Sequence, residues 1–352
     1  CFLFKVMISK VISEDKISAA KELIYEAQKI AIITHTSPDG DAMGSALGMF
    51  QFLKQLDKDA TVVFPDDCPR GFEWMPGMDE VLIHRSQTEA AEAALEGADL
   101  IICQDFNSTK RVASAQPALE RSKAKKLLLD HHLEPTSNFD VIIEYPEMAA
   151  TCEVVFRLIC RMGHAEDITE EVAECLYTGL MTDTGNFTYS SNNIELYYIV
   201  AELMKRGIDK EEIYRKVNNN AKESQMRLRG HLLKDNMRLY PEYHAAITTL
   251  DAKEKAEYSY EKGDTEGFVN EPMKIQGIQV SVFISQDKDK IKLSFRSIGD
   301  VPVNTVATKY FGGGGHKNAA GGEAYYISLE QVRKKVEEIL PEIWNGRGES
   351  EK

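Results

Sequence analysis

"KIAIITHTSPDGDAMGSALG", Lys29 to Gly48, is the stretch on which the fold turns. Residues 29–35 are β-rich and flat in polarity, as suits a strand buried on both faces of a parallel sheet. A tight turn follows, where Pro38 and Gly40 set the backbone, and a helical pattern then runs from Ala42 to Leu56. The same kind of apolar run recurs at "ATVVFP" (60–65), "LIICQDF" (100–106), "KKLLLDHH" (125–132) and "DVIIEY" (140–145), with helical stretches such as 89–95 between. Strand and helix alternating in this way predict an α/β, doubly wound, mostly parallel sheet. Ligands of such sheets sit beyond the carboxyl ends of the strands. The residues that close each run are therefore the ones to weigh.

Helical spacing continues through 168–181, 194–206 and 210–216, and 221–240 reads as one long helix joining two domains. The character then changes. "HAAITTL" (244–250), "IQVSVFISQ" (278–286) and "KIKLSFRSI" (290–298) alternate with period two, with "KDK" (288–290) as a hairpin tip. "FGGGGHKNAAGG" (311–322) and a last helix over 329–343 follow. The expected organisation is a doubly wound domain at 7–217, a helical linker at 218–240 and a smaller α+β domain at 241–345. The tail from Asn345 is expected to be disordered. The opening "CFLFKVM" is too short for a signal-peptide core, and Met7 is the expected native start.

Composition narrows the function. No apolar run reaches the ~18–20 residues of a membrane span. None of the six cysteines forms a C-x-x-C pair, which disfavours a thiolate metal site and suits buried thiols in the cytoplasm. The net charge of -14 argues against a grip on long duplex nucleic acid, which needs a basic track. Locally the balance reverses. Between Pro272 and Ala320 seven Lys/Arg face three Asp, a net of +4, so an anionic substrate would be short and anchored there.

The strand ends carry the chemistry. His35, Asp39 and Asp41 follow the first run, Asp105 the third, and Asp130, His131 and His132 the fourth; Asp183 closes a helical run. Asp41 could simply be a helix N-cap. Yet carboxylates at 39, 41, 105 and 183 converging on one crevice would repel each other, and cations resolve such repulsion. Carboxylates and imidazoles without thiolates suit Mn²⁺, with Mg²⁺, Co²⁺ or Zn²⁺ as alternatives. One carboxylate shared by two ions is the usual arrangement for cleaving phosphate esters. In the C-terminal part, Gly313, Gly314 and Gly315 could form a linker. The His316, Lys317 and Asn318 that follow, ahead of a small-residue helix start, better fit an anion-binding loop, and Arg296 on the neighbouring strand is a bidentate phosphate partner. Arg111 could reach phosphate or pair with an acid. His84, His164, His231 and His244 lie outside these motifs and are expected to be surface or structural residues.

"HTSPDGDAMGS", "DFN", "DHH" and "TDTGNF", in that order, resemble the motifs of the DHH phosphoesterase family, and "SFRS" with "FGGGGHKNAAG" resembles its DHHA1 module. Length and the lack of further domains resemble the nanoRNase A subgroup more than the RecJ-type exonucleases. The resemblance implies a two-metal phosphoesterase acting on very short RNA or DNA oligonucleotides and on 3′,5′-bisphosphonucleosides such as pAp, as monomer or homodimer. It implies His35, Asp39 and Asp105 at one metal, Asp41, Asp105, His131 and Asp183 at the other, and Asp105 bridging. His132 would meet the scissile phosphate, with Asp130 orienting an imidazole. Arg296, the glycine loop, His316 and Asn318 would bind substrate. The alternatives are hydrolysis of cyclic or linear dinucleotides such as c-di-AMP and pApA, a RecJ-like single-strand exonuclease, and a catalytically dead nucleotide sensor. Pyrophosphate and polyphosphate fit the glycine-loop domain less well.

Overall fold

A computed structural model of the chain describes residues 9–133, 135–136 and 138–346. The chain divides into two compact units between Asn220 and Ala221. Met7 and the tail beyond Gly346 lie outside the described residues.

The first unit holds β1 (Lys29–Ile33), β2 (Asp59–Phe64), β3 (Leu82–Ile83), β4 (Leu100–Gln104), β5 (Lys125–Asp130) and β6 (Val141–Glu144). Their order is β3-β2-β1-β4-β5-β6, and every neighbouring pair is parallel. Both faces are covered, which explains the flat polarity of the strands. Ile30, Ile32, Leu127 and Leu129 are buried with apolar residues of the helices Glu14–Glu26, Gly40–Gln55, Thr151–Ile159 and Glu170–Asp183. Ala31, Ile33, Ile101 and Leu128 are buried on the other side with residues of the helices Thr88–Glu96 and Gln116–Arg121. This is the doubly wound sheet expected from the sequence. Successive strands diverge to opposite sides at β1 and β4, the switch point where such sheets hold ligands. The two-residue β3 was not expected, being too short to show a period.

Two of the first unit's helices approach closely where both carry glycine. A Cβ added at Gly179 would lie 2.2 Å from Cys152 Sγ and 3.0 Å from Asp41 Oδ1; one at Gly44 would lie 2.5 Å from the Cys175 carbonyl oxygen.

The second unit is a mixed sheet of β7 (Met237–Tyr240), β8 (Ala245–Leu250), β9 (Val280–Gln286), β10 (Ile291–Ser297), β11 (Gly314–His316) and β12 (Ala319–Ala324), in the order β11-β12-β10-β9-β8-β7. Only β8 and β9 run parallel. Ile247, Val282, Leu293 and Phe295 form its core with Val306 and Phe311 of the helix Val303–Phe311 and with Val336 and Leu340 of the helix Leu329–Asn345.

Two local expectations are corrected here. The stretch 221–240 is not one helix: it is helical from Glu223 to Asn236 and then becomes β7. Leu228 and Leu232 are buried with Leu250, Phe268 and Phe283, so this helix belongs to the second unit's core. The Asn236 amide, which donates to the Thr249 carbonyl at 2.9 Å, marks its end. Second, no helix starts after the glycine run. Gly314–His316 and Ala319–Ala324 form a hairpin, and close packing accounts for several of its small residues. A Cβ at Gly313 would lie 1.8 Å from the Gly321 carbonyl oxygen, and one at Gly322 would lie 2.6 Å from Phe311 Cβ. The helix-dipole contribution expected of this loop is therefore absent.

Candidate metal centre

Every acid and imidazole singled out in the first half lies at the carboxyl edge of the parallel sheet or on a helix end facing it. After β1, His35 donates from Nδ1 to the Thr36 carbonyl at 2.8 Å. That bond orients the ring so that Nε2 is the nitrogen that could ligate an ion once its proton is lost, 3.3 Å from Asp105 Oδ2 and 3.9 Å from Asp39 Oδ2. Asp39, not Asp41, caps the next helix: its Oδ1 accepts from the backbone N–H groups of Asp41 and Ala42 at 3.1 and 3.0 Å. Asp41 is buried and accepts from the backbone N–H groups of Thr151 and Cys152 at 2.6 and 2.9 Å. Asp105 follows β4 with φ of 62°, a left-handed conformation rare for a residue with a side chain. Such strain concentrates at functional sites.

The two histidines after β5 separate. Their ring planes meet at 72°. His131 bonds the Met148 carbonyl through Nδ1 at 3.3 Å. Its Nε2 lies 3.6 Å from Asp105 Oδ1, 3.6 Å from Asp183 Oδ2 and 3.8 Å from Asp41 Oδ2. His132 instead bonds the fully buried Asp130 through Nδ1 at 2.8 Å, and the same Asp130 oxygen accepts the His131 backbone N–H at 2.9 Å. Asp183 is the last residue of its helix.

Among the described residues, ligand atoms gather in three groups: His35, Asp39 and Asp105; Asp41, His131 and Asp183; and Asp105, His131 and His132. Asp105 belongs to two of them, with Oδ2 nearest His35 and Oδ1 nearest His131.

The charge balance is strained without a cation. Burial, then the charge of Asp105, pushes Asp41 up to about 7. Burial, then the charge of Asp41, holds Asp183 well above the usual carboxylate range. Burial also disfavours charge on the imidazoles, but the bond and charge of Asp105 outweigh it at His35, and Asp105, Asp41 and Asp183 outweigh it at His131; both rise to about 9. Burial opposes ionisation of Asp105 too, yet the hydrogen bond and charge of His35 and the charges of His131 and His132 hold it well below the usual range. A buried set of carboxylate oxygens and imidazole nitrogens, protonated only because it is crowded, fits divalent ions of the harder and borderline kind.

The remaining sequence candidates fall elsewhere. Arg111 is exposed, its carbonyl accepts the Thr36 N–H at 2.8 Å, and its charge reaches His35, so it stands at the rim of this cluster. In the second unit, Arg296 is half-buried on β10 and donates to the Phe295 carbonyl at 3.0 Å; burial pulls its pKa down and only Glu266 opposes. Gly313 to Gly315 lead into and form the hairpin beside β10, and the His316 side chain lies outside the described residues. The Asn318 amide donates to Ser297 Oγ and to the Gly299 and Val301 carbonyls, so its NH2 group holds the turn after β10.

The sequence pattern of the DHH family, N-terminal domain, matches residues 29–180. A Thermus thermophilus protein named bifunctional oligoribonuclease and PAP phosphatase NrnA is 30% identical over 313 residues, covering 89% of each chain. The chain belongs to the DHH family. The DHHA1 domain pattern matches residues 244–342. A crystal structure of an exopolyphosphatase-related protein from Bacteroides fragilis superposes with a TM-score of 0.93 at 44% identity, over 95% of this chain and 98% of that one. The cyclic-di-AMP phosphodiesterase PdeA of Listeria monocytogenes is 24% identical over 96% of this chain, which spans only 50% of PdeA. Among the described residues no helix is long and apolar enough to cross a membrane. The described cysteines, Cys68, Cys103, Cys152, Cys160 and Cys175, are free thiols.

The DHH unit also holds a group the sequence did not announce. Residues 148–152 contain no acid and no imidazole, yet this turn touches Asp41, Asp105 and His131. Its signal was slight: a run of small residues, then Thr151, before an apolar helix.

Proposed function

We propose that this DHH-family chain is a divalent-metal phosphoesterase that hydrolyses very short oligonucleotides to mononucleotides and dephosphorylates pAp to AMP. The observation that carries the proposal is the division of Asp105 between two clusters, Oδ2 toward His35 and Oδ1 toward His131, in a family whose relative is named for both activities. His35, Asp39 and Asp105 would hold one ion, and Asp41, Asp105, His131 and Asp183 the other. Two ions there, with Mn²⁺ first choice and Mg²⁺ or Co²⁺ as alternatives, would supply the Lewis acidity that polarises a phosphoryl oxygen and acidifies water.

The chain's own residues divide the remaining work. Asp130 holds His132 through Nδ1, and Nε2 would meet the phosphate, where it would stabilise the transferring group or protonate the leaving oxygen. Asp130 also takes the His131 backbone N–H, so a single buried carboxylate sets both imidazoles. Arg111 at the rim would meet a phosphate entering the crevice. In the second unit, Arg296 would hold a terminal phosphate: among the described residues its half-buried guanidinium donates to its neighbour's carbonyl, and a guanidinium carries five N–H donors. Chain and substrate would meet in the cytoplasm.

The test is a substrate panel with the wild-type protein and Mn²⁺: 5′-labelled pApA, a pentamer, pAp, c-di-AMP and polyphosphate. Turnover of pApA and pAp ahead of the others is expected. PdeA keeps the cyclic dinucleotide as the second reading. Preference for c-di-AMP would replace the proposal with that reading, and preference for polyphosphate would refute both.

A further inference from the structure

The turn at 148–152 makes four bonds to the side chains of three candidate ligands. Thr151 Oγ1 donates to Asp105 Oδ1 at 3.0 Å. The backbone N–H groups of Thr151 and Cys152 reach the two oxygens of Asp41 at 2.6 and 2.9 Å. The Met148 carbonyl accepts from His131 Nδ1 at 3.3 Å. The turn is locked from behind. Glu153, 1% exposed, accepts the Ala149 N–H through Oε2 at 3.0 Å, and through Oε1 takes Arg157 Nε and Nη2 at 2.9 and 2.7 Å. Arg157 in turn reaches Glu195 Oε2 at 2.9 Å and the Ser9 carbonyl at 3.1 Å. A buried, bidentately held ion pair of this kind keeps its backbone in one place.

We infer that Thr151 is a positioning residue for the carboxylate shared between the two clusters, a role that rests on the metal-centre reading of Asp105. An aspartate carboxylate turns about its last torsion with a broad preference. A bridging role requires the opposite: Oδ2 must stay with His35 and Oδ1 with His131. An ionised carboxylate only accepts hydrogen bonds, so the Thr151 hydroxyl must donate, and its bond holds Oδ1 while His35 faces Oδ2; the two contacts together fix the plane of the carboxylate. Partners behind the ligands commonly govern metal affinity by about 10–100-fold.

The experiment titrates Mn²⁺ into the metal-free full chain, with free ion followed by electron paramagnetic resonance. Thr151→Val keeps the shape and the backbone N–H to Asp41 but removes the hydroxyl; at least about tenfold weaker binding is expected. Thr151→Ser restores the donor and should bind within about twofold of wild type. Wild-type binding with an unimpaired valine variant overturns the positioning role alone. A serine variant as weak as valine overturns it too, since packing rather than the hydroxyl would then be responsible. A wild type that binds no Mn²⁺ overturns the metal-centre reading itself. Should the valine variant not fold, as judged by circular dichroism, Thr151→Ala set against Thr151→Ser makes the same comparison.

Discussion

Gly179→Ala would link packing in the first unit to the metal centre through one methyl group. The added Cβ would lie 2.2 Å from Cys152 Sγ, 3.0 Å from Asp41 Oδ1 and 3.1 Å from Asp41 Cα. Ordinary contact between heavy atoms is about 3.5–4.0 Å, so the sulfur is roughly 1.5 Å too close. Cys152 and Asp41 beside it are buried, so no exposed side chain can swing aside. Overpacking of this kind costs about 1–3 kcal/mol, and the severity of the overlap points to the upper end. Alanine in place of glycine in a helix returns about 1 kcal/mol. The expected net loss is thus about 2 kcal/mol, read from urea unfolding of the metal-free protein. Asp41 must move with the backbone that carries it, so Mn²⁺ affinity should fall in the same variant. Adding Cys152→Ala removes the sulfur and should recover about 1 kcal/mol as a coupling energy between neighbours. A Gly179→Ala protein that is more stable than wild type, with unchanged metal affinity, would refute the close helix approach and its tie to Asp41.

Other outcomes follow from the same geometry. Because His35 and His131 are pushed up to about 9 and Asp41 to about 7, the metal-free cluster holds protons at pH 7 that an ion must displace. Mn²⁺ binding should therefore release protons and weaken as pH falls from about 9; calorimetry in buffers of different ionisation enthalpy reads both, and no proton release would contradict it. His132→Asn should leave Mn²⁺ affinity near wild type while lowering kcat by about 10²–10⁴; lost metal binding would place His132 among the ligands instead. Arg296→Ala should raise KM by at least about tenfold, the loss of one charge-assisted contact, whereas a pure kcat effect would deny it an anchoring role.

Much of this was legible in the sequence because burial on both faces of a parallel sheet leaves flat apolar runs, and because polar residues at their ends are conspicuous. Lys125 to Leu129 announced a strand, and Asp130, His131 and His132 announced its end. What stayed hidden had no such signature. The turn at 148–152 binds ligands through backbone groups and one hydroxyl, which carry no motif. The N-cap fell to Asp39 rather than Asp41 because Asp41 is drawn inward by the Thr151 and Cys152 N–H groups. The stretch 221–240 is helical in its polar first half, but Met237 to Tyr240 pair with β8, a long-range contact that local spacing does not encode. The glycines near Gly313 resembled a loop before a helix, whereas backbone contacts inside a hairpin explain the size of Gly313 and Gly315.

Asp105→Asn tests the central claim most directly, since the two proposed ions and both proposed activities meet at that carboxylate. The substitution keeps the shape and should keep the fold, checked by circular dichroism. With Mn²⁺ present, hydrolysis of pApA and of pAp should both be abolished, while Arg296 still supports substrate binding. Retained turnover of either substrate would contradict a single site built around a shared Asp105.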